Sequence, residues 1–570
     1  MIAYFVMECA IDNNMPTYSG GLGVLAGDTL QSFADLDVPV SCVTMLWKNG
    51  FISQKISEDG VQFDGIQDWD PDKYLKPTDI KTKIPLGDDD VFITAWKYIV
   101  KGINGYEIPV YFLTTDLEEN NAEDRKICDR LYIGNNIMRL KQEIVLGIGG
   151  YEILKAMNYD PYIYHINESH SAFLITSLMK NLGDINKLRA QVVFTTHTPI
   201  SEAFDSYNMQ DVVSMLNRYI NTDIIDSIYG KEENKLNLSW LAIENAKNVV
   251  AVSRKHKYVS QKIFEGYKLK YVTNGIHHFK WASAHHKMLY SKYIKGWEEE
   301  PYLLSRVVSI HDNEFIKAHE LAKSDLIEMV NSETGVSFTP ESFTIGMAKR
   351  VTQYKRNNLI LHNPDKLIEI AEKTGDIQMV FAGKTHPLDN IGKSIIQSIY
   401  DASRYIMSKT KKIRIVFIEN FDMQKEILIL AGSDLWLNTP TRPLEASGTS
   451  GIKASLNGVP SFSVYDGWWL EACNNGVNGW GIGPRPSWED LTHSSDEEDL
   501  ADIYDKLKYI ILPMFYDSYT DYVKIMKTAV STIIPYFNSH RMVSEYITDL
   551  YLTAMIQRYQ ENCRIGIYNI

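Results

Sequence analysis

The chain has 570 residues, 45% of them hydrophobic and 23% charged, with a formal net charge of -14. Such a length divides into two or three domains, and the acidic balance excludes general nucleic-acid binding, so any anion site must gather basic residues locally. No apolar run reaches membrane-spanning length, and the opening Met1-Ile2-Ala3-Tyr4-Phe5-Val6-Met7-Glu8 lacks a basic flank and is interrupted by Glu8, which argues against a signal peptide.

In chain order, 2–7 reads as a buried strand, Gly20-Gly21-Leu22-Gly23 as a turn, 24–36 as a helix and 38–46 as a second strand. Such alternation implies βαβ units and a parallel sheet. Residues 57–76 are acidic and turn-rich and read as a surface excursion; 131–157 reads as a long helix. Strands are predicted at 162–166, 192–196, 248–252 and 271–273. Each ends in a polar cluster: Asn167-Glu168-Ser169-His170, His197-Thr198-Pro199, Ser253-Arg254 and Asn274-Gly275. Ligands bind at the carboxyl ends of strands in open α/β sheets, which singles these clusters out. The stretch 281–341 is helical and charged and joins two domains. A second α/β series follows, with strands at 343–348, 377–382, 413–418, 434–437 and 459–464. Its polar ends are Lys349-Arg350, Gly383-Lys384, Glu419-Asn420 and Asp466-Gly467-Trp468-Trp469. Residues 487–502 read as an acidic loop, and the rest, to about Gln560, as helical. The economical architecture is two similar α/β halves facing across a cleft.

The cysteines Cys9, Cys42, Cys128, Cys473 and Cys563 are odd in number and show no CxxC spacing. They predict a reducing compartment, with neither a disulfide framework nor a structural zinc site, and hence a cytoplasmic protein. The abundant tyrosines and tryptophans suit sugar rings, although most belong in a core.

The most informative stretch is Arg442-Pro-Leu-Glu-Ala-Ser-Gly-Thr-Ser-Gly-Ile-Lys-Ala-Ser-Leu-Asn457. A strand, a run of small residues and a helix start make an anion site from free backbone N–H groups and the helix dipole. Glu445 precedes this loop, and Lys453 lies one turn into the helix. By shape alone, an ordinary βα turn with a surface lysine is as good a reading. The run Lys349-Arg350-Val-Thr-Gln-Tyr-Lys355-Arg356 places four cations past a strand and favours anion binding over a solvated helix start. The Gly20–Gly23 turn is not GxGxxG, so a dinucleotide site is poorly supported. His165-Ile-Asn-Glu-Ser-His170, His277-His278 and His285-His286 lack metal-ligand spacing, and no metal is expected. His197, at a strand's carboxyl end, suits a substrate hydrogen bond as well as a structural one. No Gly-x-Ser-x-Gly elbow is present.

These segments resemble the α-glucan phosphorylases, the glycogen, starch and maltodextrin phosphorylase family, in their short prokaryotic form. The resemblance rests on 436–440 with 445–453 and 466–469, on Tyr18-Ser-Gly-Gly-Leu-Gly-Val-Leu-Ala-Gly-Asp28, on Arg139-Leu-Lys-Gln-Glu143, on Phe194-Thr-Thr-His-Thr-Pro199, on Thr273-Asn-Gly275, on the Lys349–Arg356 run and on Phe381-Ala-Gly-Lys384. The matches keep family order from Met1 to about Gly483. They imply a GT-B architecture: two Rossmann-like, doubly wound domains across a cleft, at 1–282 and 283–545, with 546–570 packing back on the first. They also imply pyridoxal 5′-phosphate on a lysine as a Schiff base, its phosphate acting in catalysis. The implied reaction is reversible phosphorolysis of α-1,4-glucans to glucose 1-phosphate with retention.

Carried over by position, Lys453 would bear the cofactor, and the N–H groups of Thr449 and Ser450 would hold its phosphate, with Lys349 and Lys355 nearby. Arg350 and the Gly21-Leu22 turn would grip the substrate phosphate. Glu445, Ser447, Gly448 and Asn274 would bond the glucosyl hydroxyls, with His197 lining that site. A homodimer is the family-level expectation. The chain opens directly on the first strand, so the longer N-terminal regions and regulation of larger members are not expected. Lys247 falls where glycogen-type members carry a sugar-bonding His, and Phe421 where many carry a Tyr beside the cofactor, which implies that both positions lack the hydrogen bond made there by other members. The competing readings are a nucleotide-sugar glucosyltransferase of the glycogen synthase kind, which has no use for Lys453, and an inactive glucan-binding protein.

Overall fold

The structure, a computed structural model, describes residues 1–220 and 234–556. Cys563 and the end of the expected C-terminal segment lie outside the described residues. In chain order the strands are β1 (Ile2–Val6), β2 (Val40–Met45), β3 (Ser53–Ile56), β4 (Gln62–Gly65), β5 (Lys76–Leu86), β6 (Asp89–Lys101), β7 (Glu107–Thr114), β8 (Ile163–Asn167), β9 (Val192–Thr196), β10 (Ser206–Asn208), β11 (Lys235–Asn237), β12 (Asn248–Ala251), β13 (Lys270–Tyr271), β14 (Phe343–Ala348), β15 (Ile377–Ala382), β16 (Ile413–Ile418), β17 (Leu435–Asn438), β18 (Ser461–Val464) and β19 (Gly479–Ile482).

Most of them form two sheets. The first runs β13-β12-β9-β8-β1-β2-β7-β6-β5 and the second β16-β15-β14-β17-β18-β19. The second is parallel throughout. The first is parallel from β13 to β7, but β6 and β5 are antiparallel, so the purely parallel expectation needs correcting at one edge. The central strands β1, β2, β14 and β15 are buried along their whole length, as their mostly apolar sequences require when helices cover both faces. β5 instead alternates exposed and half-buried residues and reads as no strand by hydrophobicity.

In each sheet the chain winds outward from the first strand and then crosses to the other side, between β1 and β8 and between β14 and β17. Loops leaving neighbouring strands in opposite directions open a crevice at such a switch point, at the carboxyl end of the sheet.

Three expectations change. Residues 57–76 are not a simple surface excursion: β3 and β4 pair as a hairpin that bonds to the loops of the second sheet. Gln54 Nε2 donates to Gly383 O at 2.9 Å, Ile56 N to Glu419 Oε1 at 2.9 Å and Gln62 Nε2 to Thr385 O at 3.0 Å. The acidic stretch 487–502 is only half a loop. Asp496–Lys506 is a helix capped by Ser495, with Asp496, Glu497, Glu498 and Asp499 in its first turn, where the helix dipole favours negative charge. The return to the first sheet also begins before 546. Helix Ser539–Glu545 lies on helix Gly21–Asp35, with Ser32 Oγ 2.6 Å from Ser539 Oγ. There Asp35 Oδ2 sits 2.7 Å from His277 Nε2 and 3.0 Å from His540 Nε2. His277 Nδ1 already accepts from Lys280 N, so Nε2 carries the proton and has no lone pair for a metal.

Between the sheets the chain is helical, as expected, ending in the long helix Asp312–Thr334. Its Lys323 Nζ donates to Asp434 Oδ2 at 2.7 Å, and its His319 Nε2 lies 2.9 Å from Asp434 Oδ1. Asp434, at the foot of β17, also accepts from Thr344 N at 2.7 Å and is fully enclosed.

Candidate active site

The expected residues gather at the carboxyl ends of the two sheets. On the second sheet, Lys349 follows β14 and is buried. Its Nζ donates to Asn438 Oδ1, at the end of β17, at 2.6 Å. Burial, then the neighbouring Lys355 and Arg356, push its ammonium well below the usual lysine range, with Glu445 opposing. A cation in that condition is stabilised by an added anion. Lys355 pairs with Glu445 at 2.6 and 2.8 Å; burial works against its charge, but Glu445 outweighs it and raises the pKa. Arg350 is exposed. Arg356 is occupied structurally, bonding Asp496, Asp499 and the carbonyls of Thr439 and Pro440, which fastens the loop after β17.

That loop carries Glu445 to Ser450. Glu445 N donates to Asp466 Oδ2 at 2.9 Å, and Trp468 N to Ser447 O at 3.0 Å, so the loop is pinned to the start of helix Gly467–Ala472. Gly448 has φ +77°, which a side chain would strain. Helix Ser450–Leu456 begins with no side-chain cap, so its first N–H groups are free to meet a ligand. Lys453, on that helix, is buried. Its Nζ donates to Glu426 Oε1 at 2.7 Å and stands 3.4 Å above the centre of the Trp281 ring. Burial lowers its pKa, with Glu426 and Asp28 opposing.

On the first sheet, Gly20 and Gly21 begin the helix after β1, and a Cβ placed on either would meet nothing within 4 Å. Leu22 is half-buried on that helix. His197 Nε2 donates to Asn167 Oδ1 at 2.7 Å; burial, with His256, His165 and His170, holds its imidazole neutral, at a pKa of about 3. Asn167 Nδ2, Thr196 Oγ1 and Asn274 Oδ1 are buried with no hydrogen-bond partner among the described residues. Buried polar atoms normally have partners, so three orphans at strand ends of one sheet mark where ligand hydroxyls or waters would bind.

Hydrogen bonds join the two sets. Ser253 Oγ donates to Ala446 O at 2.5 Å, Thr273 Oγ1 to Glu471 Oε2 at 2.8 Å and His386 Nε2 to Tyr132 O at 3.2 Å.

The two departures read from the sequence fall in different places. Lys247 is exposed and precedes β12 at its amino end. At about 3.3 Å per residue the site lies a whole strand away, so this substitution removes nothing from it. Phe421 does lie on the site side, in the loop after β16.

Sequence reasoning missed several residues. Glu8 Oε2 accepts from Ser19 N at 2.5 Å and from Gly20 N at 3.3 Å, holding the glycine turn, and Tyr132 Oη donates to Glu8 Oε1 at 3.1 Å. Its position just past β1 is the signal that could have found it. Half-buried His170, Asp205 and Arg139 cluster around the buried Glu143. Burial disfavours the imidazolium of His170, but Asp205 and Glu143 outweigh it and hold the pKa near 10. Burial, then Asp205, raise the Glu143 carboxyl to about 7, with Arg139 and His170 opposing.

Gly383 (φ +143°) supports Lys349: a Cβ here would meet Lys349 O at 2.0 Å. Gly383→Ala is expected to cost about 2–4 kcal/mol from overlap and backbone strain together. Urea unfolding within 0.5 kcal/mol of wild type (about the scatter of a neutral change) would show that Gly383 does not hold Lys349.

A family profile described as carbohydrate phosphorylase matches residues 221–475. The chain is 34% identical to the maltodextrin phosphorylase of Thermococcus litoralis, across 97% of this chain and 71% of that one. It is 31% identical to the glycogen phosphorylase of Mycobacterium tuberculosis, across 97% and 71% respectively. To the glycogen phosphorylase of Aquifex aeolicus it is 30% identical, across 96% and 86%.

Proposed function

Because the chain belongs to the carbohydrate phosphorylase family and is an α-glucan phosphorylase, we propose that it cuts the terminal α-1,4 link of a glucan with inorganic phosphate. The products are glucose 1-phosphate and a glucan shorter by one unit, with the anomeric configuration retained. The reaction is reversible, and pyridoxal 5′-phosphate is the cofactor. The architecture is GT-B: two Rossmann-like domains, in outline 1–282 and 283–545, face across a cleft, and the chain from Asn538 returns to the first. The observation that carries the reading is the seat around helix Ser450–Leu456. It combines an uncapped helix start, a buried lysine of lowered pKa and a buried Lys349 short of an anion.

These residues fit pyridoxal phosphate. Lys453 would hold its aldehyde, and the N–H groups of Thr449 and Ser450 its phosphate. When bound, the cofactor supplies a second phosphate that can give and take a proton beside the substrate phosphate. Two phosphates side by side repel, and Lys349, Lys355 and Arg350 supply the positive charge that offsets this. The N–H of Gly21 and the space beside Gly20, Gly21 and Leu22 suit the substrate phosphate. Glu445, fixed by Lys355, turns towards the sugar with Ser447 and Gly448. Asn274 offers its unpaired Oδ1 to a sugar hydroxyl. His197 stays neutral, so it bonds a hydroxyl without adding charge.

The test is borohydride reduction of the purified protein followed by peptide mapping. A pyridoxyl group on Lys453 is expected, together with glucose 1-phosphate release from maltodextrin. An unlabelled Lys453 in a protein that uses only UDP- or ADP-glucose would overturn the reading.

A further inference from the structure

Lys453 Nζ has one hydrogen-bond acceptor, Glu426 Oε1 at 2.7 Å, and the face of Trp281 on another side. Glu426 lies in the first turn of helix Met423–Gly432, after Gln424 and Lys425 and just before the apolar run Ile427-Leu-Ile-Leu-Ala431, and its side chain is 11% exposed. A buried ion pair is no more stabilising than apolar packing of the same volume, so Glu426 needs a reason beyond the fold. Two other charged groups bear on Lys453, Asp28 favouring its charge and Lys280 opposing it, and Asp28 Oδ1 has no hydrogen-bond partner among the described residues. Asp28 takes Trp281 Nε1 at 2.7 Å and His277 N at 3.1 Å, and faces Lys280 at 3.4 Å. Lys280 lies 5.5 Å from the same indole and donates to Ala10 O at 3.0 Å. Tyr18 feels the charge of both Glu426 and Asp422, with its Oη accepting from Met423 N at 3.3 Å and Asp422 capping the Glu426 helix.

We propose that Glu426 is the proton partner of Lys453, a positioning residue that readies its nitrogen for the cofactor aldehyde and then serves as its counter-ion. This rests on the reading of Lys453 as the cofactor lysine. An ammonium cannot attack a carbonyl, so its proton must leave first. It passes to Glu426 Oε1, the freed amine adds to the aldehyde carbon, and the aldehyde oxygen departs as water, leaving a C=N bond. The proton on Glu426 is then shared with that nitrogen, which gains positive charge as the carboxylate regains its own. The Trp281 face stabilises the same charge from the other side. Phosphorolysis uses the cofactor's phosphate, so Glu426 acts on uptake and on the charge state of the linkage, not on the glycosidic bond.

The test compares wild type with Glu426→Gln, Glu426→Met and Glu426→Asp, each loaded with pyridoxal 5′-phosphate. Absorbance is followed against pH, and borohydride mapping reports the attachment point. An opposite charge at this distance moves a pKa by about 1–3 units. The pH midpoint of the absorbance change should therefore fall by about that much in the Gln and Met variants and stay near wild type in the Asp variant. The Met variant carries the result if Gln does not fold. Equal midpoints in variants that all carry the pyridoxyl group on Lys453 would overturn the role of Glu426 and leave the cofactor seat standing. A wild-type protein labelled elsewhere, or not at all, would overturn both.

Discussion

Lys453→Ala is expected to abolish phosphorolysis, with a fall of at least about 10³-fold, or roughly 4 kcal/mol of lost transition-state stabilisation. On the function proposed above, the variant would have no amine with which to hold the cofactor. Alanine also leaves Glu426 without its partner, and breaking such a pair carries its own stability cost. Lys453→Arg separates the two effects. Its guanidinium keeps the charge facing Glu426 but never loses its proton, so it cannot join an aldehyde. It should unfold near wild type and be as inactive as alanine. The assay is glucose 1-phosphate release from maltodextrin at saturating phosphate. Wild-type rates in either variant would remove Lys453 from the mechanism.

Asp434→Ala is expected to destabilise the protein by about 3–5 kcal/mol, the range for removing one member of a buried charged cluster. Lys323 and His319 would be left facing each other across the gap, and Thr344 N would lose its acceptor. Adding Lys323→Met to the alanine variant should recover part of the loss, because the stranded ammonium goes with it. Burial tends to raise the Asp434 pKa, but Lys323 and His319 outweigh it, and the net shift is downward. A carboxyl whose folded pKa is depressed contributes stability above its unfolded value of about 3.9. That contribution fades as the pH falls through the lower folded value. The difference between wild type and Asp434→Ala should thus be constant from about pH 5 to 8 and narrow below about pH 4. A difference that stays constant down to about pH 2, below the unfolded value, would mean that packing, not charge, is what Asp434 supplies.

Much of this was legible in one dimension. Strands such as β14 and β15 are mostly apolar, and their polar ends pointed to the site ahead of the fold itself. The loop from Glu445 to Lys453 could be read because the residues it needs are consecutive. Glu426 could not, because it meets Lys453 only when two helices pack, and in the sequence it is one acid in an ordinary first helical turn. Glu8 announced itself as a break in an apolar run, but its work on Ser19 and Gly20 depends on how the chain turns back. The hairpin of β3 and β4 was hidden for a different reason: its residues are polar because they bond to another part of the chain. Lys247 shows the opposite error, where matching by position put a residue at the site and the strand carries it to the far end.

The chain passes between the two sheets twice, at Ile276 and at Asn538, and the passages lie side by side. Ile276 N donates to Phe537 O at 3.3 Å, and Ser539 N to Ile276 O at 2.8 Å. A single tether would let two bodies swivel freely, whereas two parallel tethers stitched together behave like the spine of a book. For any two bodies joined so, rotation about the spine meets less resistance than twisting across it. The β3–β4 hairpin, bonded through Gln54, Ile56 and Gln62 to the opposite half, works against that rotation as a clasp.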